Sequence, residues 1–155
     1  MTDLIRKDNV YISDALDSDS LFEEVYKNLY AKDLVKENFL EKIKEREASY
    51  PTGLDMSVVD EKLANIAIPH TDPDTCRYTG IVPIKLNNKI KFNNMIDPSI
   101  EMDVSFAFII LNEDGNEQTD MLANIMDFVT KTEDINKLFE MDDTEEIYNF
   151  IEERF

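Results

Sequence analysis

Apolar and polar residues follow two periods along the chain, and the switches between the periods mark the predicted elements. Helical spacing of apolar residues predicts helices over 20–30, 36–49, 117–130 and 133–139, with a last helix opening at Asp143. Alternating or wholly apolar runs predict strands over 10–13, 66–68, 80–86, 90–92 and 102–111. Helices that alternate with apolar strands predict an α/β fold, a three-layer α/β/α sandwich around a mixed β-sheet, with residues 1–155 as a single domain.

Local signals predict where two helices begin and end. Ser20 and Glu23 have the spacing of a capping box at the start of the first helix. Pro51 disfavours helical backbone at Tyr50 and so ends the second helix. Gly53 then permits a turn that other residues would resist.

The strand predictions also depend on local signals. Residues 87–89 suit a hairpin loop between the strands over 80–86 and 90–92. The run over 102–111 is typical of a central strand covered on both faces. Along this run Ser105 and Ala107 alternate with large apolar residues, which are Val104, Phe106, Phe108 and Ile110.

Composition narrows the class of protein. Hydrophobic residues make up 43% of the chain, which is typical of a folded domain. The formal net charge of −18 disfavours nucleic-acid binding and attracts protein partners with a positive face, although acidity also simply keeps a protein soluble. The sequence contains no run of about 18 apolar residues, so it predicts no membrane-spanning helix. Residues 1–9 lack the apolar core of a signal peptide. We therefore expect a cytoplasmic protein.

His70 is the only histidine, and it follows a short apolar run that ends at Pro69. Pro69 has no N–H for a sheet ladder, so the strand is expected to stop there and leave His70 in an exposed loop. An imidazole with its ordinary pKa of about 6.5 is largely neutral near pH 7, and can act as a nucleophile, a base or a metal ligand. Taken alone, a histidine after a proline is more often an ordinary loop or cap residue.

Residue spacing argues against several other kinds of site. The three glycines are too far apart for a loop that cradles a nucleotide. A single cysteine excludes an internal disulfide and every multi-cysteine metal site. Potential ligands occupy alternate positions from His70 to Cys76, but such a set, interrupted by a proline, fits tetrahedral zinc poorly. No metal site is therefore expected.

Two stretches taken together resemble a known family. They are Arg46-Glu47-Ala48-Ser49-Tyr50-Pro51-Thr52-Gly53-Leu54 and Ala67-Ile68-Pro69-His70-Thr71-Asp72. They resemble the enzyme IIA domains of the bacterial PEP-dependent sugar phosphotransferase system, in the fructose/mannitol (type 2) superfamily. The resemblance extends from about Val10 to the C-terminus. Tyr-Pro-Thr-Gly-Leu, and Thr-Asp after the histidine, are most similar to the galactitol-type branch.

The resemblance implies a phosphotransferase that carries a phosphoryl group on His70. The donor would be the carrier protein HPr, and the acceptor a cysteine of the sugar-specific IIB component, which works with a IIC transporter. His70 would be the nucleophile, and Arg46 the cation that orients and neutralises the phosphoryl group. A helix-end charge without chemistry is the alternative for Arg46. Such a carrier needs no cofactor, since the group is held covalently.

Four further residues are candidates for supporting roles. Thr52 and Thr71 could donate hydrogen bonds, although ordinary turn capping explains both as well. Asp72 would either fix the imidazole or simply end the loop. Gln118 stands near the position of a second histidine in mannitol-type domains, and its amide could bind a phosphoryl oxygen or the ring. Asn65 stands where the family usually has glycine, and asparagine tolerates left-handed dihedrals.

The sequence leaves three functions open. The leading hypothesis is a phosphocarrier that supplies the uptake and phosphorylation of galactitol or a related sugar or polyol. A second is a regulatory phosphoprotein of the same fold, in which phosphorylation of His70 controls a partner and feeds no transporter. A third is an acidic adaptor protein in which His70 is inert.

Overall fold

A computed structural model describes residues 4–115 and 118–155 of the chain. The helices in these residues are α1 (Ser18–Ala31), α2 (Phe39–Ser49), α3 (Gln118–Lys131), α4 (Ile135–Phe139) and α5 (Thr144–Arg154). The strands are β1 (Tyr11–Ser13), β2 (Gly53–Leu54), β3 (Asn65–Ala67), β4 (Gly80–Asn93) and β5 (Glu101–Leu111). Among the described helices, none has the length and apolar character of a membrane span.

The strands form one mixed sheet in the order β1-β4-β5-β3-β2. β5 lies in the middle, antiparallel to β4 and parallel to β3. β1 runs parallel to β4, and β2 runs antiparallel to β3 at the other edge. The apolar side chains of β5 are buried on both faces, which confirms the predicted central strand.

A layer of helices covers each face of the sheet. α1 and α2 pack on one face through large apolar side chains, among them Phe22, Phe39 and Ile43. α3, α4 and α5 pack on the other face, with Phe128 and Ile151 in its core. This arrangement confirms the predicted three-layer α/β/α fold.

The alternation along β5 is broken at one point. Val104 packs in the layer of α1 and α2, whereas Phe106 and Ile110 pack in the opposite layer. The pairing with β3 shifts register between Asn65 and Ile66, which pair with Val104 and Phe106. A strict alternation through Val104 is therefore wrong, because one extra residue in β5 reverses the faces.

The two strands and hairpin loop predicted over 80–92 are one long strand, β4. It pairs with β5 on both sides of a register shift between Lys85 and Ile90. Asn87 and Asn88, in the predicted loop, donate amide hydrogen bonds to Asp14. The hairpin prediction is wrong because residues that favour turns also serve in a bulge within a continuing strand.

The ends of α1 and α2 test the boundary predictions. The cap of α1 is Asp17, whose carboxylate accepts a hydrogen bond of 2.7 Å from the backbone N–H of Ser20. The predicted cap at Ser20 is wrong, since a carboxylate one turn earlier binds the free N–H groups and also gains from the helix dipole. α2 ends at Ser49, and Tyr50 has non-helical dihedrals as predicted.

Gly53 is required by a close approach of two backbones. It pairs with Ala67 in the sheet, and its carbonyl accepts a hydrogen bond of 2.8 Å from the N–H of Met95, beyond the end of β4. A Cβ on Gly53 would lie 2.7 Å from the backbone oxygen of Asn93. The predicted turn is wrong, because Gly53 lies in a strand and its φ is not positive.

Gly53→Ala is expected to lower the free energy of unfolding by about 1–3 kcal/mol, because the added methyl group meets backbone that cannot rotate away. Urea unfolding followed by circular dichroism measures this change. Lys27→Ala, on the exposed side of α1, is the control and should change the value by about 0.5 kcal/mol or less. A Gly53→Ala protein as stable as the wild type would contradict the close approach.

Candidate functional site

The sheet brings His70 to the edge of the buried core. Ile66 and Ile68 are fully buried. The carbonyl of Pro69 then accepts a hydrogen bond of 3.0 Å from the N–H of Ile110, so β5 also holds the residue before the histidine. His70 itself is only partly exposed and pairs with Ile110 in an isolated bridge, so it is less open than the exposed loop that the sequence predicted. Part of the residue therefore remains open to solvent.

A backbone hydrogen bond fixes the imidazole. Nδ1 of His70 lies 2.9 Å from the carbonyl oxygen of Ile68. A carbonyl only accepts, so the neutral ring must carry its proton on Nδ1. Nε2 then has a free lone pair, and no described residue hydrogen-bonds it. Of the two ring nitrogens, Nε2 is therefore the one whose lone pair is available to an incoming atom.

The surroundings of His70 favour the neutral ring. Burial lowers the pKa of the imidazole below its ordinary value, because it removes water from the charged form. The hydrogen bond to Ile68 raises the pKa and so offsets part of this shift, whereas the positive charge of Arg46 lowers the pKa further. The ring therefore keeps its lone pair at and somewhat below neutral pH.

Arg46 lies in the last turn of α2 and reaches the loop that follows His70. Its Nη1 is 3.7 Å from Oδ1 of Asp72, and its guanidinium carbon lies 4.9 Å from the centre of the Tyr50 ring. Its Nε is buried and has no hydrogen-bond partner among the described residues. The positive charge of Arg46 lowers the pKa of His70, and the contact with Asp72 places the end of α2 next to the loop that follows the histidine.

Glu47 is a structural residue that the sequence analysis missed. Its carboxylate accepts hydrogen bonds of 2.8 Å from the N–H of Thr52 and 2.7 Å from the Thr52 hydroxyl. Burial raises the pKa of Glu47, and the two hydrogen bonds offset part of that shift. An acidic residue in the last turn of a helix is disfavoured by the dipole, and that position was the signal that Glu47 has other partners.

The two candidate threonines lie in different surroundings. Thr52 is 2% exposed and its hydroxyl donates to Glu47, so it does not face the cleft as a free donor. Its carbonyl accepts from the N–H of Ile68, which joins the Arg46 segment to the His70 segment. Thr71 is 7% exposed and lines a surface cleft of about 170 Å³ with Arg46.

Asp72 and Gln118 complete the predicted set. Asp72 does not fix the imidazole, because Ile68 does so; its carboxylate instead pairs with Arg46. Gln118 is the first residue of α3, and its side chain lies outside the described part of the chain. Asn65 has no left-handed backbone and lies in β3, where its side chain bridges Met56 and Asp103.

A sequence model of one family matches residues 3–154, and its description is the phosphoenolpyruvate-dependent sugar phosphotransferase system, EIIA 2. The chain belongs to this family. Domains of the EIIA type carry phosphoryl groups between proteins. Curated protein sequences gave no match.

Solved EIIA structures share the fold of this chain. The mannitol-specific cryptic enzyme IIA CmtB from Escherichia coli is 16% identical with a TM-score of 0.69, and the match covers 98% of this chain and 96% of that one. The nitrogen regulatory protein IIA-Ntr from Neisseria meningitidis is 17% identical with a TM-score of 0.65, covering 97% of each chain. Enzyme IIA mannitol in its complex with phosphorylated enzyme IIB mannitol from Escherichia coli is 18% identical with a TM-score of 0.60, covering 88% and 94%.

The pKa of His70 can be measured directly, because the chain has no other histidine. Proton NMR of the ring should give a value below 6.5, and Arg46→Ala should raise it because a nearby positive charge is lost. Since the folded-state pKa is lowered, the free energy of unfolding should fall as the pH drops from about 6.5 through that pKa.

Arg77→Ala is the control for this titration. Arg77 pairs with Asp33, and its charge is not among those that act on His70, so the pKa should not move. A ring that titrates above 6.5 in the wild type would contradict the neutral-imidazole site.

Proposed function

We propose that this EIIA protein accepts a phosphoryl group from phosphorylated HPr on Nε2 of His70 and passes it to a cysteine of a IIB component. The IIB component and its IIC transporter would then take up and phosphorylate galactitol or a related sugar or polyol. The galactitol-type assignment rests on the Tyr50–Leu54 and Thr71-Asp72 residues. The Escherichia coli complex of an enzyme IIA with a phosphorylated enzyme IIB supports a partner of the IIB type.

The hydrogen bond between Nδ1 and Ile68 is the observation that carries the proposal. It leaves Nε2 unprotonated in a partly exposed ring, and the lowered pKa keeps it so near neutral pH. A nucleophile of this kind needs no further base, because it has no proton to lose when it attacks. The geometry therefore suits transfer of a group to and from nitrogen.

Each transfer balances as an in-line exchange at phosphorus. The lone pair of Nε2 forms the new N–P bond while the N–P bond of the donor breaks and its electron pair stays on the donor imidazole. In the second step a cysteine thiolate attacks the phosphorus, and the electron pair returns to Nε2. Arg46 lies beside the cleft and would bind the phosphoryl oxygens through its guanidinium group.

A regulatory phosphoprotein is the second candidate, and a regulatory protein is among those that share the fold. The nitrogen regulatory protein IIA-Ntr matches over 97% of this chain, as fully as the mannitol-type enzyme does. Both functions need a phosphohistidine. They differ in whether the phosphoryl group moves on to a cysteine.

Incubation with phosphorylated HPr should load the wild-type protein with acid-labile, base-stable phosphate. His70→Ala and His70→Gln should carry none, because the chain has no other imidazole. Addition of the matching IIB component should then discharge the protein if it is a transport carrier, and should not if it is a regulator. Equal labelling of His70→Ala and the wild type would contradict the assignment of His70.

Arg46→Ala should slow loading by about 10²-fold, the usual loss when one donor to a developing charge is removed, with the fold intact. Rapid-quench kinetics with phosphorylated HPr give the rate, and circular dichroism checks the fold. Arg77→Ala removes an equally charged residue that is 51% exposed elsewhere, and should leave the rate unchanged. A normal rate for Arg46→Ala would remove Arg46 from the site.

A further inference from the structure

Asp72 has a partner that the proposed reaction also needs. Its Oδ1 lies 3.7 Å from Nη1 of Arg46, and the two side chains are 49% and 38% exposed. Asp72 does not hold the imidazole of His70, since Nδ1 of that ring donates to the carbonyl of Ile68. The carboxylate therefore acts on Arg46 and not on the ring.

The guanidinium of Arg46 is held but not saturated. A separation of 3.7 Å is longer than a hydrogen bond, so the pair with Asp72 is a loose ionic contact. Nε is buried without an acceptor among the described residues, while the Tyr50 ring at 4.9 Å limits how the group can turn. A guanidinium with an unused donor and a loose counter-ion can receive a better acceptor without losing a strong hydrogen bond.

We propose that Asp72 is a placeholder counter-ion, which holds Arg46 while His70 is bare and releases it to the phosphoryl group once His70 is loaded. This proposal rests on the phosphorylation of His70. After the exchange, Asp72 stands two residues from a dianionic group without its counter-ion. The loaded state is then less favourable than it would be beside a neutral residue, and the phosphoryl group is passed on more readily.

Other charges at the cleft do not replace this pair. Lys42 and Glu45 also line the cleft, and they contribute one positive and one negative charge. Neither forms an ion pair with Arg46 or Asp72 within the described ranges. Asp74 lies in the same loop as Asp72 and is exposed, so it offers a matched removal of one negative charge.

The test measures how the phosphoryl group divides between this protein and HPr at equilibrium. Asp72→Asn should shift the equilibrium toward the loaded protein by about 2- to 5-fold, the range expected for an exposed ion pair. Asp72→Glu should restore the wild-type value, and Asp74→Asn should not change it. In an Arg46→Ala background, Asp72→Asn should have less than half of its effect, because no guanidinium remains to be released.

Loading with phosphoramidate tests the role of Asp72 independently of the proposal that HPr is the donor. Phosphoramidate loads an imidazole directly and releases ammonia, so no protein donor is needed. Asp72→Asn should speed this loading by a similar factor whether or not HPr is the natural donor. If HPr fails to load the wild type and phosphoramidate succeeds with this pattern, the donor assignment fails and the counter-ion role stands.

Two results would overturn the counter-ion role. One is an equal effect of Asp72→Asn with and without Arg46, which would mean simple repulsion. The other is an unchanged or lowered extent of loading in Asp72→Asn, which would mean that Asp72 positions Arg46 for the loaded state.

Discussion

The hydrogen bond from His70 to the carbonyl of Ile68 sets the chemistry of the whole site. It selects one tautomer and so decides which ring nitrogen can bond to an incoming atom. The bond depends on a backbone that does not move. Ile68 is buried, and the next carbonyl is bound by β5, so the central strand of the sheet fixes the position of His70. A stable core is thus a condition of the proposed reaction.

The local surroundings of His70 and the net charge of the whole chain have opposite effects on the protonation of the ring. The protein has a net charge of −18, yet the charged residue that acts on the imidazole is the cation Arg46. Burial and that cation both disfavour a protonated ring, although an acidic protein would otherwise raise the pKa of a histidine. The local arrangement dominates because screening by salt weakens distant charges far more than near ones. The surface of the protein can therefore be strongly acidic without protonating His70.

The sequence predicted the layers and the central strand because those follow from the burial of apolar side chains. Arg46 and His70 became candidates for one site through a family resemblance and not through periodicity. The sequence prediction failed for β4, where a bulge and a hairpin have the same residue preferences. It also missed the Glu47 to Thr52 contact and the pairing of Asp72 with Arg46, because side-chain pairings between segments leave no local pattern in the chain.

The last turn of α2 has two consecutive residues with separate partners. Arg46 contacts the loop after His70, and Glu47 binds the segment that leads into β2. Adding or deleting a single residue before them would rotate both by about 100° around the helix axis and break both contacts at once. The spacing from Phe39 to Thr52 should therefore tolerate no insertion or deletion, and the segment before α2 is fixed as well, since Val35 is buried and pairs with Cys76.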